Sequence, residues 1–287
     1  MNDFKTVVIT GVSTGIGRAA ARELVANGYT VFGSVRRRED GEQVRRELGE
    51  RFTPLLFDVT DEAAIHRARE QVELALGGRG LSGLVNNAGV AVPGSILHLS
   101  LEDLRLPLEV NLLGVLRVTK TFLPLLGASD HRRHLPGRIV NISSVSGWHT
   151  FPFNTSYSMS KAGLEALSDG LRRELRPYGI DVVVVVPGSV QTPIWDKVQQ
   201  LDLTRYDGTV YQSALQAARK LRVEYGKKSL PVERLSRVIR LALESPRPKT
   251  RYRVLGSPLT EWILPRWLPD RWWDRILWRM LGLSSRE

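Results

Sequence analysis

Short apolar runs alternate along the chain with longer stretches in which apolar residues recur every three to four positions. The short runs are rich in β-branched residues and predict strands, whereas the longer stretches predict amphipathic helices. The predicted strands cover residues 6–10, 30–35, 53–57, 83–86, 138–143, 181–186 and 251–255. The main predicted helices cover residues 17–27, 62–76, 101–126, 156–178 and 232–244.

This alternation predicts an α/β fold, in which helices cover both faces of a doubly wound parallel sheet of about seven strands. The stretch at 182–186 is apolar throughout, which is typical of a strand that is covered on both faces. We expect one domain over residues 1–256, followed by a tail at 257–287 of different composition.

The composition narrows the possible chemistry. Of the 287 residues, 42% are hydrophobic and 25% are charged, as in an ordinary globular protein. The absence of cysteine excludes disulfides, thiolate metal sites and cysteine nucleophiles. The first residues do not resemble a signal peptide and no uncharged apolar run reaches 18 residues, so we expect a cytoplasmic protein.

The net charge of +11, from 41 basic and 30 acidic residues, raises the question of nucleic acid binding. The longest basic run is only 36–38, and most other arginines alternate with acidic residues, as on a solvated helix face. We therefore expect no nucleic acid partner. The loop at 127–137 contains Asp130, His131 and His134, which could suggest a metal site, but no second ligand cluster accompanies it, so we expect no metal.

A glycine-rich turn joins the first strand to the first helix. Glycines there let the backbone approach a pyrophosphate, and the free N–H groups and dipole at the helix start favour its charge. No Gly-Lys-Ser/Thr sequence follows, which favours a dinucleotide over ATP. The candidate cofactor-binding residues of this turn are Gly11, Ser13, Thr14, Gly15, Ile16 and Gly17.

The end of the second strand indicates which dinucleotide binds. An acidic residue there would hold the ribose 2′-hydroxyl of NAD, but this chain has Arg36, Arg37 and Arg38. Since a guanidinium forms charge-assisted bonds to the 2′-phosphate of NADP, we expect NADP(H), held by Arg36 and Arg37. NAD(H) stays open, because these arginines could simply be solvated. Asp58 could accept from the adenine amino group or belong to the polar surroundings of a helix cap near Asp61.

Ser144, Tyr157 and Lys161 carry the strongest signal for catalysis. Tyr157 and Lys161 are four residues apart on a predicted helix, so they share a face on which an ammonium can lower the pKa of the phenol toward neutrality. Ser144 ends the fifth strand at the carboxyl edge of the sheet, and its hydroxyl could hold a substrate carbonyl oxygen. Each residue alone is commonplace, but their joint spacing behind a nucleotide turn favours an active site.

With these motifs the chain resembles the short-chain dehydrogenase/reductase family along nearly all of residues 5–256. The turn at 10–17 resembles the family's cofactor turn, and Asn-Asn-Ala-Gly at 86–89 resembles its sheet-stabilising motif. The 13-residue spacing to Tyr157 favours Ser144 over the adjacent Ser143 as the catalytic serine. The resemblance implies a Rossmann-type fold and further cofactor contacts at Val59, Asn87, Ala88, Gly89, Pro187, Gly188, Val190 and Thr192.

The resemblance also implies a mechanism. Ser144 would hold the oxyanion that develops as hydride reaches a carbonyl carbon from the nicotinamide, and Tyr157 would protonate it. Lys161 would lower the pKa of Tyr157 and bond the nicotinamide ribose, and Asn111 would anchor a water that links Lys161 to solvent. Oxidation of an alcohol would reverse each role. The alternative is a regulator that binds NADP without catalysis, which would have no need of an activated phenol.

The substrate side is less specified by the sequence. The run at 152–154 and the arginines after the second strand resemble the hydroxysteroid and retinol dehydrogenase branch of the family, which implies an apolar alcohol or ketone as substrate. The stretch at 191–228 is predicted to be a lid, or else a static surface excursion. We expect a homodimer or homotetramer. The candidate substrate contacts, each of which could equally belong to the core, are Val90, Val92, His149, Phe151 and Trp195.

Five of the seven tryptophans lie in the tail. If Pro269 opens a helix, its apolar face predicts either docking on the protein's own substrate entrance or a second subunit, or peripheral contact with a lipid headgroup layer. The mixture of Asp and Arg on the other face weakens attraction to anionic lipid, although Trp278 lies there too. The predicted apolar face consists of Trp272, Trp273, Ile276, Leu277 and Met280.

Overall fold

Seven strands form one parallel sheet in the computed structural model, which describes residues 5–129, 134–192, 202–227 and 229–283. The order across the sheet is β3-β2-β1-β4-β5-β6-β7. The chain leaves β1 and β4 toward opposite sides, so their carboxyl ends border a crevice in which such sheets bind ligands. The strands are β1 (Thr6–Ile9), β2 (Thr30–Val35), β3 (Phe52–Leu56), β4 (Gly83–Asn86), β5 (Arg138–Ile142), β6 (Asp181–Pro187) and β7 (Arg251–Val254).

Helices lie on both faces of this sheet and continue into the tail. They are α1 (Gly15–Ala26), α2 (Arg38–Leu48), α3 (Glu62–Leu76), α4 (Leu101–Leu108), α5 (Gly114–Phe122), α6 (Thr155–Glu174), α7 (Gln212–Lys227), α8 (Val232–Glu244), α9 (Leu264–Trp267) and α10 (Asp270–Leu281). Two π-helical turns, Glu109–Leu113 and Leu259–Ile263, adjoin them. The short 3₁₀ turns are Gly49–Arg51, Leu123–Leu126, Val145–Gly147, Arg176–Tyr178 and Thr204–Tyr206.

Alternate residues of the strands face two separate apolar cores. Val8 of β1 faces a core shared with α3, α5 and α6, whereas Val7 and Ile9 face a core shared with α1 and α8. All three side chains are fully buried, because a strand in the middle of a doubly covered sheet has no solvent face. The predicted architecture, a doubly wound parallel sheet of seven strands, is confirmed.

Two predicted helices differ from the structure. The single helix predicted over 101–126 is interrupted by the π turn at Glu109–Leu113, just after Pro107, which has no N–H to donate within the helix. The helix predicted over 156–178 ends at Glu174, three residues before Pro177, as expected of a chain approaching proline. α2 overlaps the segment at 42–51, whose alternating charges are typical of a solvated helix face, and only Gly41 and Val44 of α2 are buried.

The tail carries a helix that begins after Pro269, at the predicted position, but its apolar face is divided. Leu277 and Leu281 are buried, and Leu281 joins an apolar cluster with α7. Trp272, Ile276 and Met280 follow one another at one-turn intervals and remain exposed. Within the described ranges, no helix combines the length and the apolar character needed to cross a membrane.

Candidate active site

Close backbone contacts hold the glycine turn against the end of β4. Gly11 has a φ of +71°, and a Cβ there would lie 2.9 Å from the Cα of Ala88. A Cβ on Gly17 would lie 2.2 Å from the Gly11 carbonyl oxygen and 2.4 Å from Asn87 Nδ2. That Nδ2 donates to the carbonyl oxygens of Thr10 and Gly11 at 2.9 and 3.0 Å. Positions 11 and 17 therefore have room for glycine alone.

The start of α1 offers its backbone N–H groups to a ligand. Thr14 is the N-cap residue, but its side chain makes no capping hydrogen bond, and the first turn of α1 has no acidic residue. Gly15 has a φ of +58°, and Ser13 and Ile16 on either side of this bend are half-buried. An uncapped helix start of this kind favours a bound anion such as a pyrophosphate.

The three arginines after β2 are exposed, but they are not equivalent. Arg37 forms a bidentate pair with Asp40, with nitrogen–oxygen distances of 3.0 and 2.8 Å. Arg38 is the first residue of α2. Arg36 makes no hydrogen bond or ion pair with any residue that the structure describes. A 2′-phosphate beside β2 would thus meet Arg36 directly, whereas Arg37 would first leave an exposed ion pair, which costs little.

The acidic residues after β3 have separate roles. Asp61 caps α3, since its Oδ1 accepts from the N–H of Ala64 at 2.9 Å. Asp58 Oδ1 accepts from the N–H and the hydroxyl of Thr60, at 2.9 and 2.7 Å, so Asp58 shapes the turn before that cap. Its contact with adenine stays a prediction. Val59 is buried in the core, so its side chain does not face the crevice and only its backbone could touch a cofactor.

Tyr157 and Lys161 lie in the first two turns of α6, beside the carboxyl end of β5. Lys161 Nζ is 5.7 Å from the centroid of the Tyr157 ring and donates to the Ile142 carbonyl oxygen at 2.8 Å. The Ser144 hydroxyl lies near the Tyr157 phenol and opposes, in part, the rise in the pKa of Tyr157 that burial causes. By contrast, Ser143 Oγ is buried and has no partner among the described residues. This geometry supports Ser144 as the serine that acts with Tyr157.

The charge states of this group differ from the prediction in one respect. Burial raises the pKa of Tyr157, and the contact with Ser144 offsets this only in part. Burial lowers the pKa of Lys161 to about 8, against the opposing effect of the Glu165 carboxylate. In the protein alone, Lys161 therefore does not bring the pKa of Tyr157 toward neutrality as predicted, because desolvation of the phenol dominates. At pH 7 the phenol keeps its proton and can serve as an acid.

Asn111 is fully buried in the π turn and is held on three sides. Its Oδ1 accepts from the N–H of Val90 at 2.8 Å, and its Nδ2 donates to the Val90 carbonyl at 2.8 Å and to the Ser160 hydroxyl at 2.9 Å. These bonds join the loop after β4 to α6 one residue before Lys161. The predicted water bridge from Asn111 to Lys161 stays a prediction. The π turn places the amide inward, as such turns often do at functional sites.

The segment after β6 is held by a residue of the tail. The Glu261 carboxylate accepts from the N–H groups of Gly256 and Ser189, at 2.9 and 3.3 Å. A Cβ on Gly188 would lie 2.2 Å from this carboxylate, so a larger residue there would displace the Glu261 side chain. Pro187 ends β6, Val190 is buried in the core, and Thr192 is half-buried. The part of the chain predicted to hold the nicotinamide carboxamide thus depends on the tail for its shape.

The tail also contacts the predicted substrate side. His149 Nε2 lies 3.0 Å from the Glu261 carbonyl oxygen, and burial lowers the pKa of His149, so its neutral ring donates there. Trp148 and Trp262 pack edge to face at 5.2 Å. Arg266 lies over both rings, 5.0 and 5.5 Å from their centroids. The first half of the tail therefore docks beside the protein's own active site, which is one of the alternatives predicted for the tail.

The remaining candidate substrate residues lie around the same crevice or outside the described ranges. Val90, Val92 and Phe151 are half-buried, and the Val92 carbonyl accepts from Ser156, next to Tyr157, at 3.4 Å. Trp195 lies outside the described residues, as do residues 193–201 of the predicted lid and 130–133 of the loop with histidines. Among the residues that are described, no three His, Asp or Glu side chains come together as metal ligands.

Comparison with known proteins places this geometry in a family. The model of the short chain dehydrogenase family matches residues 5–202. This chain belongs to the short-chain dehydrogenase family. It is therefore an oxidoreductase of the NAD(P)-dependent kind that acts on CH–OH groups, which confirms the predicted family and enzyme class.

Relatives of this dehydrogenase span its whole length. The NADPH-dependent 3-dehydrocapnine reductase of Ornithobacterium rhinotracheale is 39% identical over 99% of this chain and 100% of its own. Human 17-beta-hydroxysteroid dehydrogenase type 6 is 34% identical over 96% of this chain and 88% of its own, and retinol dehydrogenases also match. A crystal structure of a short-chain dehydrogenase from Streptomyces avermitilis aligns with a TM-score of 0.76 at 27% identity, covering 99% of each chain.

The residues of the crevice fit a nicotinamide dinucleotide. In the glycine turn, the predicted cradle for the pyrophosphate, Gly11 and Gly17 pack against Ala88 and Asn87 with no room for a side chain, and the uncapped start of α1 follows it. Arg36 supplies an unpaired cation where the adenosine ribose would lie. Lys161 keeps donors beyond the one used by Ile142, and can bond a ribose hydroxyl.

Several residues of this dehydrogenase that shape the site are not among the predicted ones. The Ser34 hydroxyl accepts from the N–H of Gly11 at 3.0 Å, and the Thr10 hydroxyl accepts from the N–H groups of Asn87 and Ala88 at 2.9 and 3.0 Å. Thr10 and Ser34 could have been found from the sequence, because each places a hydroxyl at the end of a strand. Nothing in the sequence indicates Glu261, because it lies in the tail, far in sequence from the segment that it holds.

Proposed function

We propose that this short-chain dehydrogenase interconverts an alcohol and its ketone or aldehyde on a large apolar molecule, with NADP(H) as cofactor and Tyr157 as general acid and base. The observation that carries the proposal is the clustering of Ser144, Tyr157 and Lys161 at the carboxyl edge of the sheet, where Lys161 Nζ lies 5.7 Å from the centroid of the Tyr157 ring. The bacterial relative, named as an NADPH-dependent reductase, supports both the cofactor and reduction as a direction of reaction.

The charges of the site suit reduction at neutral pH. Bound NADPH would supply the hydride to the carbonyl carbon. Ser144 donates a hydrogen bond to the carbonyl oxygen, and Tyr157 transfers its proton there as negative charge develops, since burial keeps the phenol protonated. Lys161, with a pKa of about 8, is largely charged at pH 7 and stabilises the phenolate that remains.

Two features support an apolar substrate. Val90, Val92 and Phe151 are half-buried, and the backbones of Val90 and Val92 bond Asn111 and Ser156 of the candidate site. Phe153, four residues before Tyr157, has a φ of +63°, a strained conformation for this residue, and it packs in an apolar cluster with α7. Relatives that are named for hydroxysteroids and retinol are consistent with such a surface.

The direct test is NADPH oxidation with a panel of ketones and aldehydes. The panel contains a 3-ketosteroid, retinal, a long-chain aliphatic ketone and acetone, each with NADPH and with NADH. We expect turnover of at least one large apolar carbonyl compound with NADPH, at a higher kcat/KM than with acetone. Binding of NADPH without any turnover of the panel would favour the non-catalytic regulator instead.

We further propose that the exposed side of α10 contacts a membrane surface. Trp272, Ile276 and Met280 form an exposed apolar row, and Trp272 is 62% exposed. Arg271, Arg275 and Arg279, also exposed, form a second row beside it, whereas Asp274 is turned toward the packed side. Apolar and cationic rows side by side suit a layer of anionic headgroups.

Assembly into a homodimer or homotetramer stays a prediction.

Sedimentation with vesicles tests the membrane contact. We expect the protein to sediment with vesicles of phosphatidylcholine containing phosphatidylglycerol, and Trp272→Glu to reduce the bound fraction several-fold. Leu74→Glu is the matched control, because Leu74 is an exposed apolar residue on α3. Equal sedimentation of the wild type and Trp272→Glu, or no sedimentation of either, would contradict the proposal.

A further inference from the structure

Two contacts anchor α7 beside the catalytic site, one near each of its ends. Its first half packs in one apolar cluster with Phe153, which precedes Tyr157 by four residues. Just after its end, the Ser229 hydroxyl hydrogen-bonds the hydroxyl of Ser189, next to Gly188. α7 therefore runs from the side of the catalytic tyrosine to the segment predicted to hold the nicotinamide.

Arg222 belongs to the inner face of this helix. Ala214 and Ala218 precede it by two turns and one turn on the same face, and they are 0% and 2% exposed. Arg222 continues that face and is half-buried, whereas Lys220 and Glu224 at other angles of the helix are exposed. Desolvation lowers the pKa of Arg222 to about 10, so its guanidinium is partly desolvated but remains charged.

This guanidinium has no counter-charge among the residues that the structure describes. Within the described part of the chain, Arg222 makes no hydrogen bond, ion pair or aromatic contact. Other half-buried arginines are paired, as Arg240 is with Glu23 and Glu244 at 2.8 Å each. A desolvated cation without a partner destabilises a fold, and an anion that fills its hydrogen bonds removes that cost. A bound anion would therefore account for the position of Arg222.

We propose that Arg222 binds an anionic group of the substrate, a carboxylate, phosphate or sulfonate, so that the substrate is an amphiphile with an apolar body and one charged end. This inference rests on the proposed function for the reaction, although the binding can be measured without it. The anion bound by Arg222 is not the 2′-phosphate of NADP. That phosphate is expected at Arg36, at the end of β2, and β2 lies four strands away from β6 in the sheet.

The test compares two ligands that differ only in charge. Binding of decanoate and methyl decanoate to the NADP⁺-saturated full-length protein is measured by calorimetry, for wild type, Arg222→Gln and Lys220→Gln. We expect wild type to bind decanoate at least tenfold more tightly than the ester, and Arg222→Gln to bring this ratio close to one while the affinity for the ester stays the same. Lys220→Gln, an exposed cation on the outer side of α7, keeps the wild-type ratio.

A second readout separates this role from a structural one. Without ligand, Arg222→Gln should unfold at the same or a higher temperature than wild type, because it removes an uncompensated charge; a structural arginine would lower the Tm. A ratio near one in wild type, a ratio preserved in Arg222→Gln, no binding of either ligand, or weaker NADPH binding by Arg222→Gln would each overturn the inference. If decanoate binds as expected but no ketone is reduced, the proposed function fails and this site stands.

Discussion

The glycine turn and the segment after β6, which are predicted to hold opposite ends of the cofactor, are built from different kinds of contact. At the glycine turn, the backbones of Gly11 and Gly17 and the side-chain amide of Asn87 meet at distances that leave no room for a further side chain. The segment after β6 is held instead by Glu261 from the tail and by Ser229 from beyond α7. The glycine turn is rigid by local geometry, and the segment after β6 depends on segments that are distant in sequence.

This difference suggests how the two regions can change. Backbone contacts in the glycine turn bind parts that are common to all nicotinamide dinucleotides, so a substitution there removes function altogether. Side-chain contacts around the segment after β6 can be exchanged one at a time, which allows the substrate to vary on a constant reaction centre. We therefore expect effects that decrease from the glycine turn, through Arg36, to the tail and the residues behind Lys161.

The largest effect is expected for Gly17→Ala. The new Cβ would overlap the Gly11 carbonyl oxygen at 2.2 Å, and backbone must move to relieve this, which costs roughly 1–3 kcal/mol or more. We expect no measurable NADPH binding by fluorescence titration and a lower Tm. Gly170→Ala in α6 is the control, since its nearest neighbour is a flexible side-chain atom at 3.8 Å. Wild-type NADPH affinity in Gly17→Ala would contradict the rigid cradle.

Arg36→Ala is expected to have a smaller and selective effect. Loss of charge-assisted hydrogen bonds, worth about 1.5–3 kcal/mol, should weaken NADPH binding roughly 10- to 100-fold and leave NADH binding unchanged. Arg45→Ala removes an exposed arginine from α2 and controls for net charge. Dissociation constants for both cofactors check this. An equal loss for NADPH and NADH would argue against recognition of the 2′-phosphate.

Glu261→Gln is expected to act on the segment after β6. The neutral amide accepts more weakly from the N–H groups of Ser189 and Gly256, so the segment after β6 should be held less firmly. We expect a kcat/KM for the ketone that is roughly 3- to 10-fold lower, from the loss of about one such hydrogen bond. Glu224→Gln on the exposed side of α7 is the control. Unchanged kinetics would show that the tail does not shape the site.

The pH dependence of reduction should reflect the protonation state of Lys161. Its pKa of about 8 in the free enzyme predicts that kcat/KM falls above pH about 8, as the ammonium loses its proton. The Glu165 carboxylate raises this pKa, so Glu165→Gln should move the descending limb to lower pH. Asp169→Asn is the control. It removes another partner of Arg251 and should leave the descending limb at its wild-type pH. A limb that moves to higher pH in Glu165→Gln would contradict this assignment.

Features that depend on local sequence can be predicted, whereas features that depend on distant contacts cannot. Strands such as Val182 to Val186 are recognisable because a strand buried on both faces is apolar throughout. The glycine turn and the catalytic spacing are local patterns, and the structure brings Ser144, Tyr157 and Lys161 together as expected. The break after Pro107 was predictable from the missing N–H, but the π turn that follows was not.

The parts that escaped prediction depend on distant contacts or on burial. The raised pKa of Tyr157 follows from desolvation, which spacing on a helix does not reveal. Glu261 reaches Ser189 only because the tail folds back beside β6. The division of α10 into buried and exposed rows likewise depends on where α7 lies, since Leu281 is buried against it and Trp272 is not.

The most direct test of the account is the turnover of Tyr157→Phe. This substitution removes only the phenolic hydroxyl, so NADPH should bind with wild-type affinity while kcat for reduction falls by at least ~10², the contribution of a general acid. Single-turnover measurements with saturating NADPH separate the chemical step from binding. Retention of more than about a hundredth of the wild-type rate would contradict the central claim that this protonated phenol, held by Ser144 beside Lys161, supplies the proton.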